Sequence, residues 1–301
     1  MSASSVFPST LRLLNVHAHP DDESSKGAAT MAKYADEGVE VMVVTCTGGE
    51  RGTILNPALL DDADLLRDLP SRRRREMAEA ARILGVRHEW LGFEDSGLPE
   101  GDPLPPLPEG CFALQDVEEA AGRLVKVIRE FRPHVITTYD EHGGYPHPDH
   151  VMCHQVTVAA FHAASNTMAW PEHGPPWQVA KLYYHMSFHR RRYAALDQAM
   201  HDHGLEPKHP PFVDDDTYSD GRLTTFIECS EFFPVRDAAL RAHATQVDPE
   251  GPWFGIPLAV QQKGWPTEDF QLVISKVPTI IPEDDLFTGL RAPLVAPEFY
   301  I

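Results

Sequence analysis

The sequence predicts an α/β fold built on a doubly wound, mostly parallel sheet, and three observations lead there. Strand-like and helix-like stretches alternate through the first half of the 301 residues. One stretch, Val39–Thr47, is an apolar run rich in β-branched residues, the mark of a strand buried on both faces of a parallel sheet. Polar residues gather where the strands end, which is where open α/β sheets hold their ligands. The pattern is Rossmann-like, with helices on both faces. Residues 11–165 read as the metal-binding catalytic part. Residues 166–301 read as a smaller, irregular C-terminal part that completes the substrate pocket within one continuous structural domain.

In chain order, Leu11, Leu13, Leu14 and Val16 end a first apolar strand, which turns at Pro20. Ala28, Met31, Ala32 and Ala35 then fall on one face of a helix. After the Val39–Thr47 strand comes the loop Gly48-Gly49-Glu50-Arg51-Gly52, and residues 53–70 read as a surface excursion. Pro70-Ser71 opens a helix with Ser71 as N-cap, Met77, Ala80, Ala81 and Leu84 as inner face, and Gly85 as its stop. His88–Phe93 is a short strand followed by the polar loop Glu94-Asp95-Ser96-Gly97, and residues 98–110 form a long Pro/Gly-rich loop. Val117, Ala120, Ala121, Leu124, Val127, Ile128 and Phe131 make an amphipathic helix that stops before Pro133. Val135–Tyr139 is the next strand, and a helix runs from the Asp140–His150 cluster to about Ala164. Beyond it, Lys181–Phe188 and Leu223–Cys229 read as strands, with Arg190–His203 and Val235–Thr245 as helices. Residues 204–221 read as a Pro/Asp-rich loop and the last 50 as irregular.

The bulk properties exclude several classes. A formal net charge of −19 disfavours nonspecific nucleic-acid binding, which depends on neutralising phosphates. No run approaches the roughly 20 apolar residues of a membrane span. Met1–Thr10 lacks the basic start and apolar core of a signal peptide, so cytoplasmic residence is expected. Cys46, Cys111, Cys153 and Cys229 make no C-x-x-C pair and are read as neither a disulfide framework nor a zinc site. Cys46, inside a strand, reads as a small buried hydrophobe. No G-x-S-x-G elbow, phosphate loop or dinucleotide fingerprint is present.

Two strand ends carry the chemistry. His19-Pro20-Asp21-Asp22-Glu23 puts one imidazole and three carboxylates into five residues. Charges crowded in this way are costly unless a cation or substrate compensates them. His19, Asp22 and His150 form a His₂-carboxylate ligand set, and three protein ligands leave a position open, as catalytic zinc sites do. The same set suits ferrous iron. Asp22 and His150 are 128 residues apart, so only the fold can unite them. The competing reading makes the histidines surface groups and Asp21, Asp22 and Asp149 helix caps. His154, four residues beyond His150, shares its helix face but is placed behind the ligands, because His19 and Asp22 complete the set. Asp21 is then free to act as general base. Tyr145 or His147 would stabilise the oxyanion. A protonated His147 would serve the departing amine, with Asp149 holding or tuning it. Arg73, on the inner face of its helix, points at the same sheet edge.

These residues carry a resemblance. Ala18-His19-Pro20-Asp21-Asp22-Glu23 with His147-Pro148-Asp149-His150 is similar to the signature of the LmbE-like (PIG-L) zinc-dependent N-deacetylases, over residues 11 to at least 265. The resemblance implies a Rossmann-like fold and hydrolysis of amides on glucosamine-containing small molecules. It also implies zinc on His19, Asp22 and His150, with Asp21 as base and Tyr145 and His147 serving the tetrahedral intermediate. Within the family, Glu23–Ala29, Thr47–Gly52, Thr138–His147 and Leu240–Gln246 are most similar to the branch acting on thiol conjugates. There the amide between glucosaminyl-inositol and an S-substituted N-acetylcysteine is cleaved to a mercapturic acid and the pseudodisaccharide. Lys26 favours that branch, since a cation at a helix N-terminus opposes the dipole and suggests a role against the cysteinyl part; it also balances Asp21, Asp22 and Glu23. The alternatives are the deacetylase branch, acting on N-acetylglucosaminyl-inositol, and a non-catalytic metal-dependent binding protein. Arg73, Asp95 and Glu50 are the candidates for binding sugar and inositol hydroxyls.

Overall fold

Alternation along the strands divides the core in two. Leu13, Val41, Val43 and Val135 pack on one side of the sheet, and Leu14, Val16, Met42, Val44 and Ile136 on the other. All nine are buried, so the strands read as continuous apolar runs rather than half-polar ones. The computed structural model describes residues 10–206 and 220–291. Most of the Pro/Asp-rich stretch expected at 204–221 lies outside the described residues, as does the chain beyond 291.

The elements in order are β1 (Arg12–His17), α1 (Asp22–Ser25), α2 (Ala28–Asp36), β2 (Glu40–Thr47), α3 (Ala63–Arg67), α4 (Leu69–Leu84), β3 (Arg87–Phe93), α5 (Val117–Phe131), β4 (Val135–Thr138), α6 (Pro148–Ala163), β5 (Lys181–His185), α7 (Arg190–Asp202), β6 (Thr225–Glu228), α8 (Phe233–Ala242), α9 (Leu258–Gly264) and β7 (Thr267–Ser275). The seven strands form one sheet in the order β3-β2-β1-β4-β5-β7-β6. The first five are parallel; β7 runs antiparallel to both β5 and β6. Helices α2 and α4 cover one face, α5 and α6 the other. Among the described residues no helix is long and apolar enough to cross a membrane.

The expected α/β architecture is therefore present, with three differences. Residues 53–70 hold the short helix α3, and α4 starts earlier than expected because Asp68, not Ser71, is its N-cap and accepts from the Ser71 amide at 3.2 Å. Pro70 fits the first turn, where its missing N–H costs nothing. The third difference is larger. The last 50 residues include α9 and the nine-residue β7, which the sheet inserts between β5 and β6. The acidic start of β7 disguises it: Glu268 accepts from the amides of Ala29 and Thr30 at 3.2 and 2.8 Å, anchoring the start of α2. Asp269 accepts from His189 and from the Trp265 indole, each at 2.7 Å.

The strand order places a topological switch at β1 and β4. From β1 the chain winds outward through β2 and β3, then returns to the other side of β1 with β4 and continues to β5. Where the winding reverses, the loops after the two strands part and leave a crevice at their carboxyl ends. The His19–Glu23 loop leaves β1, and the Asp140–His150 loop leaves β4. Side-by-side pairing of β1 with β4 is what closes the 128-residue gap.

Candidate metal centre

Asp22 is the centre of the site. Its Oδ2 lies 3.4 Å from His19 Nδ1 and 3.3 Å from His150 Nε2, and it accepts from the His19 amide at 2.9 Å. The other oxygen, Oδ1, takes a bond from Lys26 Nζ at 2.9 Å. His19, Asp22 and His150 are all buried, with ligand atoms within 4.8 Å of one another. The three predicted ligands are thus brought together.

The donors fit a divalent ion on a specific observation. His150 Nδ1 donates to the Gly143 carbonyl at 2.8 Å, and burial pushes its pKa below the usual histidine value, so the neutral ring carries its proton on Nδ1. The bare Nε2 faces Asp22 and has no hydrogen-bond partner. A buried acceptor without a donor is expensive, and a neutral imidazole with its far nitrogen tied to a carbonyl is a prepared metal ligand. Tyr139 stacks on the same ring, centroids 4.2 Å apart and planes at 18°, and fixes its orientation. His19 is held from behind, with Nε2 at 3.1 Å from Asp149 Oδ2. Burial opposes its charge, yet Asp149, Asp22 and Asp95 together raise it well above the usual value. The pocket draws positive charge toward itself.

His19, Asp95 and His147 form a second, overlapping group. It is the poorer ligand set, because His147 Nδ1 accepts from the Asp149 amide at 3.1 Å and so leaves no bare ring nitrogen for an ion.

Asp21 stands outside the ligand set. Its backbone has φ 134°, a region that disfavours any side chain and is retained where the surroundings impose it. Glu23 imposes it here, accepting from the Asp21 amide at 2.9 Å. Burial raises the Asp21 carboxyl to about 6, even with the Arg73 guanidinium 3.5 Å away.

The remaining predicted residues divide. Tyr145 is 41% exposed at the mouth, its ring 4.6 Å from that of His150. His147 caps α6, with Nδ1 accepting from the Asp149 amide at 3.1 Å. Burial, then His19 and His150, lower it to about 4, so the resting ring is neutral with its proton on Nε2. The Asp149 carboxylate turns away from His147, taking bonds from the amide and hydroxyl of Ser96 as well as facing His19.

Arg73, Asp95 and Glu50 are engaged within the protein. Arg73 is 3% exposed and donates to the carbonyls of Gly49 and Pro20 at 2.7 and 2.8 Å. A Cβ at Gly49, whose φ is +65°, would meet Arg73 Nη1 at 2.1 Å, which explains the glycine in that loop. Glu50 accepts from the Asp95 amide at 3.0 Å.

Sequence reasoning missed the pair beneath the loop. His243 Nε2 and Glu23 Oε1 lie 2.7 Å apart and both side chains are buried. Glu23 falls to about 2 because His243 and Ser24 outweigh burial, and Glu23 in turn raises His243. The signal lay in Leu240–Gln246, a stretch noted only for its resemblance.

The family model PIG-L, GlcNAc-PI de-N-acetylase, matches residues 14–161. A mycothiol S-conjugate amidase of Streptomyces coelicolor is 59% identical, covering 93% of this chain and 98% of that protein. The chain belongs to the PIG-L family. A 1D-myo-inositol 2-acetamido-2-deoxy-alpha-D-glucopyranoside deacetylase of Streptomyces avermitilis is 41% identical over 93% of this chain and 97% of its own length. Among solved structures, the N,N'-diacetylchitobiose deacetylase from Pyrococcus horikoshii superposes with a TM-score of 0.58 at 20% identity, covering 88% of this chain and 84% of that one. That likeness is one of fold. The PIG-L match spans both loops of the centre, from β1 through α6.

Proposed function

We propose that the chain is a zinc-dependent amidohydrolase acting on mycothiol S-conjugates, releasing a mercapturic acid and glucosaminyl-inositol. The observation that carries hydrolysis is Asp21, a carboxylate outside the ligand set, held on strained backbone beside it. A protein that only bound metal and ligand would have no use for that base.

His19, Asp22 and His150 are the proposed ligands for zinc, with ferrous iron suited to the same donors. When bound, the ion polarises a carbonyl and acidifies water. Asp21 takes the proton of the attacking water. Tyr145, open at the mouth, donates its hydroxyl to the oxyanion that develops on the amide carbonyl. His147 contributes a second donor from Nε2, the nitrogen left protonated when Nδ1 accepts from the Asp149 amide. As the C–N bond breaks, the proton gathered by Asp21 goes to the amine. Asp149 and Asp95 keep the His19 ring oriented. Lys26 holds Asp22 and offers its remaining donor capacity to the cysteinyl part of the conjugate.

The amidase reading draws its support from the 59% identity to the Streptomyces coelicolor amidase. The second reading, deacetylation of N-acetylglucosaminyl-inositol, draws on the 41% identity to the Streptomyces avermitilis deacetylase. Matched substrates separate them. Mercapturic-acid release should exceed acetate release by at least tenfold in kcat/KM; dominant acetate release would overturn the choice.

A further inference from the structure

We propose that the cavity behind Phe188, between α7, α8 and the loop before α9, receives an apolar, ring-bearing substituent carried on the sulfur of the substrate. This assignment rests on the amidase reading above. The cavity encloses about 300 Å³. An interior cavity of roughly 150 Å³ admits a benzene ring, so there is room for one ring with its linker or for a fused pair.

Its walls are apolar in the places that remain open. Phe188, Tyr193, Leu196, Leu240, Trp253 and Ile256 line it. The charged groups that line it are paired within the protein, Arg236 with Asp237 among them. Arg192 donates to the Ser187 carbonyl at 3.0 Å, Arg236 to Gln261 at 2.8 Å, and Glu268 accepts from the start of α2. An anionic or cationic occupant would find few uncommitted partners. Trp253, 45% exposed with its ring 6.3 Å from that of Phe188, leaves an aromatic surface open.

Position ties the cavity to the metal centre. Ser24 and Ser25, two and three residues beyond Asp22 on α1, form part of its wall. Phe188 is shared: its ring lies 5.8 Å from Lys26 Nζ, and it also lines the narrow crevice formed with Lys26, Tyr139 and Gly144. A substrate with its amide at Asp22 extends past Lys26 and Phe188 into this space. The wall is pinned as well, because the neighbouring His189 caps α7 and bonds buried Asp269 at 2.7 Å. A rigid apolar wall discriminates by size and polarity.

The test compares S-benzyl and S-methyl conjugates of the same thiol on wild type, Trp253→Ala and Ile256→Trp. Wild type should prefer S-benzyl at least tenfold in kcat/KM. Each variant should shrink that preference at least fivefold while S-methyl turnover stays within twofold of wild type. Calorimetric binding of S-benzyl- and S-methyl-N-acetylcysteine, the matching products, should show the same preference and the same loss. Equal turnover of both conjugates by wild type, an unchanged preference in both folded variants, or a parallel fall for both conjugates would overturn the cavity assignment alone. A wild type that cleaves neither conjugate would overturn the amidase reading, and the cavity assignment with it.

Discussion

Two buried charged clusters lie at opposite ends of the sheet, and they are built differently. At the start of β5, Lys181 and Glu283 are fully buried and meet at 2.5 Å; the Tyr183 hydroxyl donates to the same carboxylate at 2.7 Å, and Lys181 also reaches the Thr288 carbonyl. One cation meets one anion, and the lone pairs are used. At the carboxyl ends of β1 and β4, Asp22, Asp95 and Asp149 converge on His19, Lys26 bonds Asp22, and Arg73 lies beside Asp21. There one residue sits at φ 134° and the ring nitrogen His150 Nε2 is without a partner. A structural cluster closes its own hydrogen bonds, whereas a functional one is left incomplete in the shape of what it binds.

The comparison breaks most visibly at Asp21. Asp21→Asn keeps the shape and tolerates the unusual backbone, but removes the base. Hydrolysis should fall by about 10³-fold or more, with metal content by elemental analysis unchanged. Turnover within tenfold of wild type would remove the base from the mechanism. The opposite signature belongs to the other cluster. Glu283→Ala leaves Lys181 buried and unpaired, which should cost about 3–5 kcal/mol of stability, read by urea denaturation. The residual folded enzyme should retain normal kcat, and a large loss of kcat would show that the two clusters are coupled.

A pH titration sharpens the contrast next. Glu23 titrates near 2 when folded against 4.5 ordinarily, so its contribution is complete above pH 4.5 and is lost as the pH falls toward 2. The contribution is on the order of 3 kcal/mol. His243 is shifted upward, so its share is complete below 6.5 and fades as the pH rises through its raised value. Urea denaturation of metal-free protein should show wild type losing stability between pH 4.5 and 2 more steeply than Glu23→Gln; equal slopes would refute the pairing. The smallest effect is expected at Tyr145→Phe. Loss of one oxyanion donor, with His147 still present, should lower kcat about a hundredfold with KM nearly unchanged.

Much of this was legible beforehand, and the reasons differ by region. Val39–Thr47 declared itself because a doubly buried strand has no polar face to confuse the pattern. The ligand loops declared themselves because charges gathered at strand ends need a compensating partner. By contrast, β7 hid behind Glu268 and Asp269, which look like loop residues but serve as acceptors for the α2 amides, His189 and Trp265. Arg73 was read as facing ligand because helical periodicity gives a face without saying how deeply it is buried. Only the fold shows the Gly49 loop folded over it. Asp149, expected to hold or tune His147, does so through its amide, while the first turn of α6 directs its carboxylate to His19 and Ser96, which no local pattern shows. The Glu23–His243 pair joins residues 220 apart, beyond the reach of any local pattern.

The claim on which the rest depends is that Asp22, His19 and His150 close around one divalent ion. Calorimetric titration of zinc into metal-free protein tests it most directly. One ion per chain should bind to wild type, and affinity should fall at least a hundredfold in both Asp22→Asn and His150→Gln, with each variant folded by circular dichroism. A protein that takes up no ion, or binds it equally well after both substitutions, would contradict the account.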